Sequence, residues 1–175
     1  MTTMLFSSEL LRRLRRSVLL SGVLFLSLTA AICGDDDDDD DGTGPSAACL
    51  DEFEDLLAEV DFDEDDVESI DVGDSDSGSL SENDVQDPES DRFVDAYILE
   101  LDDDNELQIS LNPSGFDAVL LLWFEGQEDP TVADSEDPNA TETLEGEADA
   151  GCYLIGVTSF EAEETGSYTL SVDEI

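Results

Sequence analysis

From about residue 70 onward, apolar side chains recur at every second position. A period of two marks a strand that turns one face to a core and the other to water. Leu107, Ile109 and Leu111 alternate with Gln108, Ser110 and Asn112; Tyr153, Ile155 and Val157 alternate with Leu154 and Gly156; Tyr168, Leu170 and Val172 alternate with Thr169 and Ser171. Residues 93–101 read as a longer strand with Tyr97, Leu99 and Leu101 on one face, and 118–124 is apolar throughout, which fits a short strand covered on both sides. Asp102-Asp103-Asp104-Asn105 reads as the hairpin turn between the first two long strands, and Asn112-Pro113-Ser114-Gly115 as the next turn. About seven or eight strands at this spacing predict an all-β fold, a jelly-roll-like antiparallel β-sandwich over residues 70–175.

Such a sandwich must form under heavy self-repulsion. The chain has 49 acidic residues, 5 basic residues and no histidine. Arg12, Arg13, Arg15 and Arg16 all precede position 17, and Glu9 is the only acid before Cys33, so the segment from Cys33 onward sets 48 carboxylates against Arg92, a formal charge of −47. Nucleic acid binding needs Lys and Arg to displace counterions from phosphate, so that class is excluded. Repulsion reaches across roughly 30 Å at 0.01 M salt but only about 3 Å at 1 M, which suits a salt-rich habitat.

The charge asymmetry also divides the chain. Residues 1–32 read as a signal peptide: a basic stretch ending in Arg15-Arg16, then the almost charge-free run 17–32, shorter than the ~20 residues of a comfortable membrane span. Arg15-Arg16-Ser17-Val18-Leu19 resembles a twin-arginine export motif. Ala30-Ala31-Ile32-Cys33 resembles a lipobox, which makes Cys33 the expected site of lipid attachment and the membrane the first expected partner. Gly34, seven consecutive Asp (35–41) and Gly42-Thr43-Gly44-Pro45-Ser46 follow, so 33–47 reads as an acidic disordered tether.

Between tether and sandwich, 48–69 reads as an amphipathic helix and an acidic linker. Leu50, Phe53, Leu56, Leu57 and Val60 recur at three- and four-residue spacing. About 12 residues make a marginal helix alone, so it should pack on the sandwich. If Tyr153, Ile155 and Val157 face the core, Cys152 and Leu154 point to the other side of that strand. A helix beginning near Cys49 can lie there, held by a Cys49–Cys152 disulfide, with Cys33 left for acylation.

Several short motifs then follow in order: Gly78-Ser79-Leu80-Ser81, Asp95-Ala96-Tyr97-Ile98-Leu99, Leu107-Gln108-Ile109-Ser110-Leu111, Phe116-Asp117-Ala118-Val119-Leu120, Gly151-Cys152-Tyr153-Leu154-Ile155, and Gly166-Ser167-Tyr168-Thr169-Leu170. Their order and spacing resemble the bacterial pre-peptidase C-terminal domain over roughly residues 70–173. The resemblance implies a jelly-roll-like, non-catalytic accessory module found beside secreted peptidases and in envelope proteins, with matrix or polysaccharide binding proposed for some members. Cys152 stands where that family usually has a small polar residue.

The residues also bound the chemistry. There is no His or Lys to activate Ser, Thr or Cys, and a two-carboxylate glycosidase, though chemically possible, would find little room for a deep cleft in a sandwich of this size, so no catalytic residues are expected; no cofactor or resident metal is expected either. Asp102 to Glu106 and Asp61 to Asp76 are oxygen-rich but lack the ligand spacing of an EF-hand, and read as solvated turns and linker rather than as a weak calcium-binding module. Asn139-Ala140-Thr141 fits a glycosylation sequon. The expectation is a monomeric, lipid-anchored envelope protein, in the periplasm or at the cell surface, whose sandwich binds an extracellular polysaccharide or protein. The alternatives are a purely structural envelope component of a halophile with no specific ligand, or a weak calcium-binding module. A ligand-binding sandwich should show an exposed aromatic or polar patch on one sheet, and Trp123, Phe124, Tyr97 and Tyr153 are the aromatic candidates; a structural one should be acidic and patch-free.

Overall fold

A computed structural model describes residues 44–135 and 137–175. The expected signal peptide, the expected lipid site Cys33 and the Asp run lie outside these residues. Among the described residues no helix is long and apolar enough to cross a membrane.

The chain enters through α1 (Ala47–Glu59), whose first turn is capped by Ser46: its hydroxyl accepts the Cys49 backbone N–H at 3.3 Å. A short 3-10 turn (Glu64–Asp66) leads into β1 (Val67–Ser69), β2 (Ser75–Leu80), β3 (Val85–Gln86) and β4 (Phe93–Leu101). There follow β5 (Asn105–Ser114), β6 (Ala118–Phe124), β7 (Thr131–Ala133), β8 (Glu142–Ala148), β9 (Gly151–Ser159) and β10 (Gly166–Glu174).

These strands form two sheets, as expected of a sandwich. The first runs β1-β4-β9-β6-β7, with β3 also paired to β4; the second runs β2-β10-β5-β8. Pairing is antiparallel except for β1, which lies parallel to β4. Three very short strands explain the excess over the expected seven or eight: β1, β3 and β7 have three, two and three residues. The 61–69 segment is therefore not linker throughout, because its last three residues pair as β1.

The expected hairpin turn and the turn expected after it both differ in the structure. β4 and β5 belong to different sheets, so 102–104 forms a corner between layers and not a hairpin. Pro113 lies inside β5, buried opposite Tyr168, and the bend after β5 comes at Gly115, whose φ of 97° is open to glycine alone at little cost. Alternation shows which face a residue takes but not which strand it pairs with.

Apolar side chains from the inner faces fill the space between the sheets. Tyr97, Leu99 and Leu101 of β4 meet Leu107, Ile109 and Leu111 of β5, Ile155 and Val157 of β9, and Leu170 and Val172 of β10. A second cluster lies on the outer face of the first sheet, where Cys49, Phe53 and Leu57 of α1 cover Val67, Ala96, Ile98 and Leu154. The Cys49–Cys152 disulfide fixes this third layer, with a Cα–Cα distance of 5.4 Å and a sequence separation of 103. Closing a loop of that size contributes up to about 4.7 kcal/mol in the chain-entropy picture. Apolar outward residues on the first sheet thus have a local cause: a helix covers them.

Candidate functional site

The aromatic residues do not form an exposed platform. Tyr97 and Tyr153 are buried; Trp123 and Phe124 are half-buried, and Phe124 packs on Tyr153 with ring centroids 4.9 Å apart. Tyr97, Tyr153 and Phe124 pack in the core between the sheets and Trp123 packs against the outer cluster under α1, so their area goes into packing.

The exposed polar patch lies on the second sheet. Since Tyr168, Leu170 and Val172 point inward, Ser167, Thr169 and Ser171 point outward from the middle strand β10. Register carries that pattern sideways in three rows. Ser79 and Ser114 flank Ser167; Ser77 and Asn112 flank Thr169; Ser75 and Ser110 flank Ser171. The rows extend outward to Thr141, whose hydroxyl donates to the Asn112 side-chain oxygen at 3.4 Å, and to Thr143, paired with Ser110. All eleven positions carry a hydroxyl or an amide and none carries a charge. At the chain-wide charged fraction of 31%, eleven positions would hold about three charges. Carboxylates return at the next row, where Asp173 lies beside Gln108 and Gln108 donates to Glu145.

At the other end the face runs into a depression of about 430 Å³ between the start of β10 and the turn after β2, lined by Ser79, Ser81, Asn83, Thr165 and Gly166, with Glu82 its one carboxylate. The hydroxyl-bearing surface is thereby continuous beyond the strands.

Beneath this sheet a polar network joins the two layers. The Tyr97 and Tyr168 hydroxyls lie 2.7 Å apart, and Tyr168 donates to Asp95 Oδ2 at 2.5 Å. Gly78 makes room: a Cβ there would sit 2.2 Å from the Tyr168 hydroxyl oxygen. Glu68, Asp76 and Asp84 surround the network in a polar cavity of about 350 Å³. Burial, in addition to the Asp84 charge, raises the Asp95 carboxyl to about 6 despite the Tyr168 hydrogen bond, which favours its charged form. Glu68 is raised by burial and then by the neighbouring Asp76 and Asp95. Burial first, then hydrogen bonds to Asp95 and Tyr97, pushes Tyr168 far up, so it is a neutral donor at all ordinary pH.

Among the described residues no group of three or more Cys, Asp or Glu is placed to hold a metal ion. The acidic runs at 61–76 and 102–106 supply helix end, corner and strand edge. Arg92 lies 5.9 Å from the centre of the Phe160 ring and lowers Asp134, whose carboxyl is nevertheless raised by burial and by Asp117. Sequence reasoning named none of the array as a site, although Thr169, Ser171, Ser110 and Asn112 were all legible as outward positions. What it lacked was the strand order that brings them together.

Fold and site thus define a disulfide-pinned, two-sheet β-sandwich with one uncharged hydroxyl face. A similar fold occurs in the pre-peptidase C-terminal domain of a collagenase from Bacillus anthracis, with a TM-score of 0.50, 19% sequence identity, and coverage of 61% of this chain and 93% of that one. At that identity the likeness is one of fold. A periplasmic inhibitor of g-type lysozyme from Salmonella Typhimurium matches over 61% of this chain and 97% of its own at 17% identity, with a TM-score of 0.38, too low to carry an argument. No family model and no curated protein sequence matches the chain.

Proposed function

We propose that this protein is an exported, lipid-anchored envelope protein that displays a non-catalytic β-sandwich for binding an extracellular polysaccharide or protein, and that its sandwich belongs with the pre-peptidase C-terminal domains. Residues 1–32 direct export, Cys33 carries the lipid, and the stretch from Cys33 up to the Ser46 cap of α1 is the tether that holds the sandwich off the membrane. The family reading is supported by the order of motifs from Gly78 to Leu170 and by the shared fold.

The observation that carries the binding reading is the uncharged outer face of the second sheet. A purely structural component of a salt-rich envelope would be served by carboxylates over its whole surface, which keep it hydrated and soluble. Here the charge is withheld from eleven neighbouring positions and restored at their border. The non-catalytic reading is supported by the side chains: the His and Lys that ordinarily activate a Ser, Thr or Cys nucleophile are absent.

Two measurements test this. Changing Cys33 to Ala should move the protein from the membrane fraction to the soluble fraction and abolish fatty-acid labelling; continued labelling without Cys33 contradicts the anchor. A screen against glycans and matrix proteins, run at about 0.15 M and about 1 M salt, should return a ligand. A folded protein that binds nothing in either condition favours the structural role.

A further inference from the structure

We infer that the hydroxyl and amide face of the second sheet is a docking surface for an extended, neutral polysaccharide. This rests on the binding reading above and narrows it to one ligand class and one face.

Three observations point there. First, a specific protein interface is anchored by a few buried aromatic, arginine or other large side chains. The three rows around Ser167, Thr169 and Ser171 contain none, so a protein partner would find no anchor. Second, Ser, Thr and Asn side chains both donate and accept, which matches a polymer whose surface is itself hydroxyl. Unbroken antiparallel register across β2, β10, β5 and β8 sets these groups on a regular grid, with strands about 4.8 Å apart and same-face residues about 6.7 Å apart along each strand. The depression beyond Ser79 and Gly166 prolongs that track and gives an extended chain somewhere to continue.

Third, charge sets the sign of the ligand. A segment of −47 repels an acidic polymer at low salt, and it would attract a cationic partner to its carboxylates instead of to this face. Only a neutral ligand gains by settling where charge is absent, since it need not desolvate a carboxylate to make contact. Hydrogen bonds exchanged with water contribute modestly each, so affinity must come from many sugar units and many displayed copies.

The test uses the full-length protein and linear neutral glucans of increasing length, with polygalacturonate as the acidic comparison. Binding to the glucan should tighten with chain length and change less than about twofold between 0.15 M and 1 M salt, because no ion pair is screened. Thr169→Glu, which puts a carboxylate at the centre of the array, should weaken binding by about tenfold or more, whereas Thr169→Ser should stay within about twofold. Thermal unfolding reports whether Thr169→Glu remains folded, and Ser77→Glu on the edge strand β2 supplies the same insult if it does not. Undiminished glucan binding by a folded charged variant overturns the assignment of the face. Capture of a protein but no neutral glucan, lost on Thr169→Glu, overturns the ligand class while leaving the binding reading intact; absence of any ligand defeats both.

Discussion

Asp95, Tyr97, Gly78 and Tyr168 come from three separate short motifs, yet the fold assembles them into one hydrogen-bonded unit that ties the first sheet to the second. Their cost and benefit depend on pH. A carboxyl with an ordinary value of 3.8 that is held at about 6 in the fold binds protons more tightly folded than unfolded. Its contribution to stability is fully present below about pH 3.8 and is lost as pH rises through about 6. Glu68 is shifted in the same direction, so it adds to the trend. Asp95→Asn keeps an acceptor for Tyr168 but cannot ionise; it should flatten the fall in unfolding midpoint between pH 4 and pH 6, and an unchanged slope would assign that fall to other groups. Gly78→Ala drives a methyl into the Tyr168 ring and should destabilise by about 1–3 kcal/mol by chemical denaturation, the range for overpacking a tight site.

At the scale of elements, α1 exists as a layer because the first sheet has apolar residues on both faces. Ile98 and Leu154 on the outer face are as buried as Leu99 and Ile155 on the inner one. This much was readable: the 3.6-residue period of Phe53 and Leu57, the outward direction of Cys152, and hence the disulfide. Other elements were not. β8 carries three glutamates and Gly146, and beside Leu144 and Ala148 the residue that turns inward is the buried Glu142, so its apolar alternation was too thin to register. The two turns failed for a different reason: period two reports burial, while the decision to cross between layers is made by pairing over long sequence separation. The array was hidden for the same cause, since its residues lie on four separate stretches of chain. Replacing both Cys49 and Cys152 by Ser should cost about 2–5 kcal/mol and release the helix first. Hydrogen exchange would then show the α1 amides opening before those of β9; simultaneous opening would mean that packing alone holds the layer.

For the whole molecule, the sequence pattern sorts charge as strictly as it sorts oil from water. Inward positions of the sandwich are mainly apolar, the outer face of the first sheet is apolar under α1, the outer face of the second sheet is uncharged over eleven positions, and carboxylates gather in α1, the turns and the strand ends. A sandwich built this way should gain stability from 0.05 M to 1 M salt as carboxylate repulsion is screened, seen as a rising unfolding midpoint in sodium chloride; a midpoint that falls with salt would require attractive ion pairs, for which the segment from Cys33 onward has one cation, Arg92. The fold likeness to a pre-peptidase C-terminal domain accounts for the two sheets, while the function proposed for this chain depends on what its second sheet shows to solvent. The most direct check is a residue-resolved footprint: isotopically labelled protein titrated with a soluble neutral glucan and followed by amide chemical shifts. Shifts confined to β2, β10 and β5 around Thr169 are the predicted result. Shifts centred on α1 or on the Asp95 cavity, with the Thr169 region silent, would contradict it.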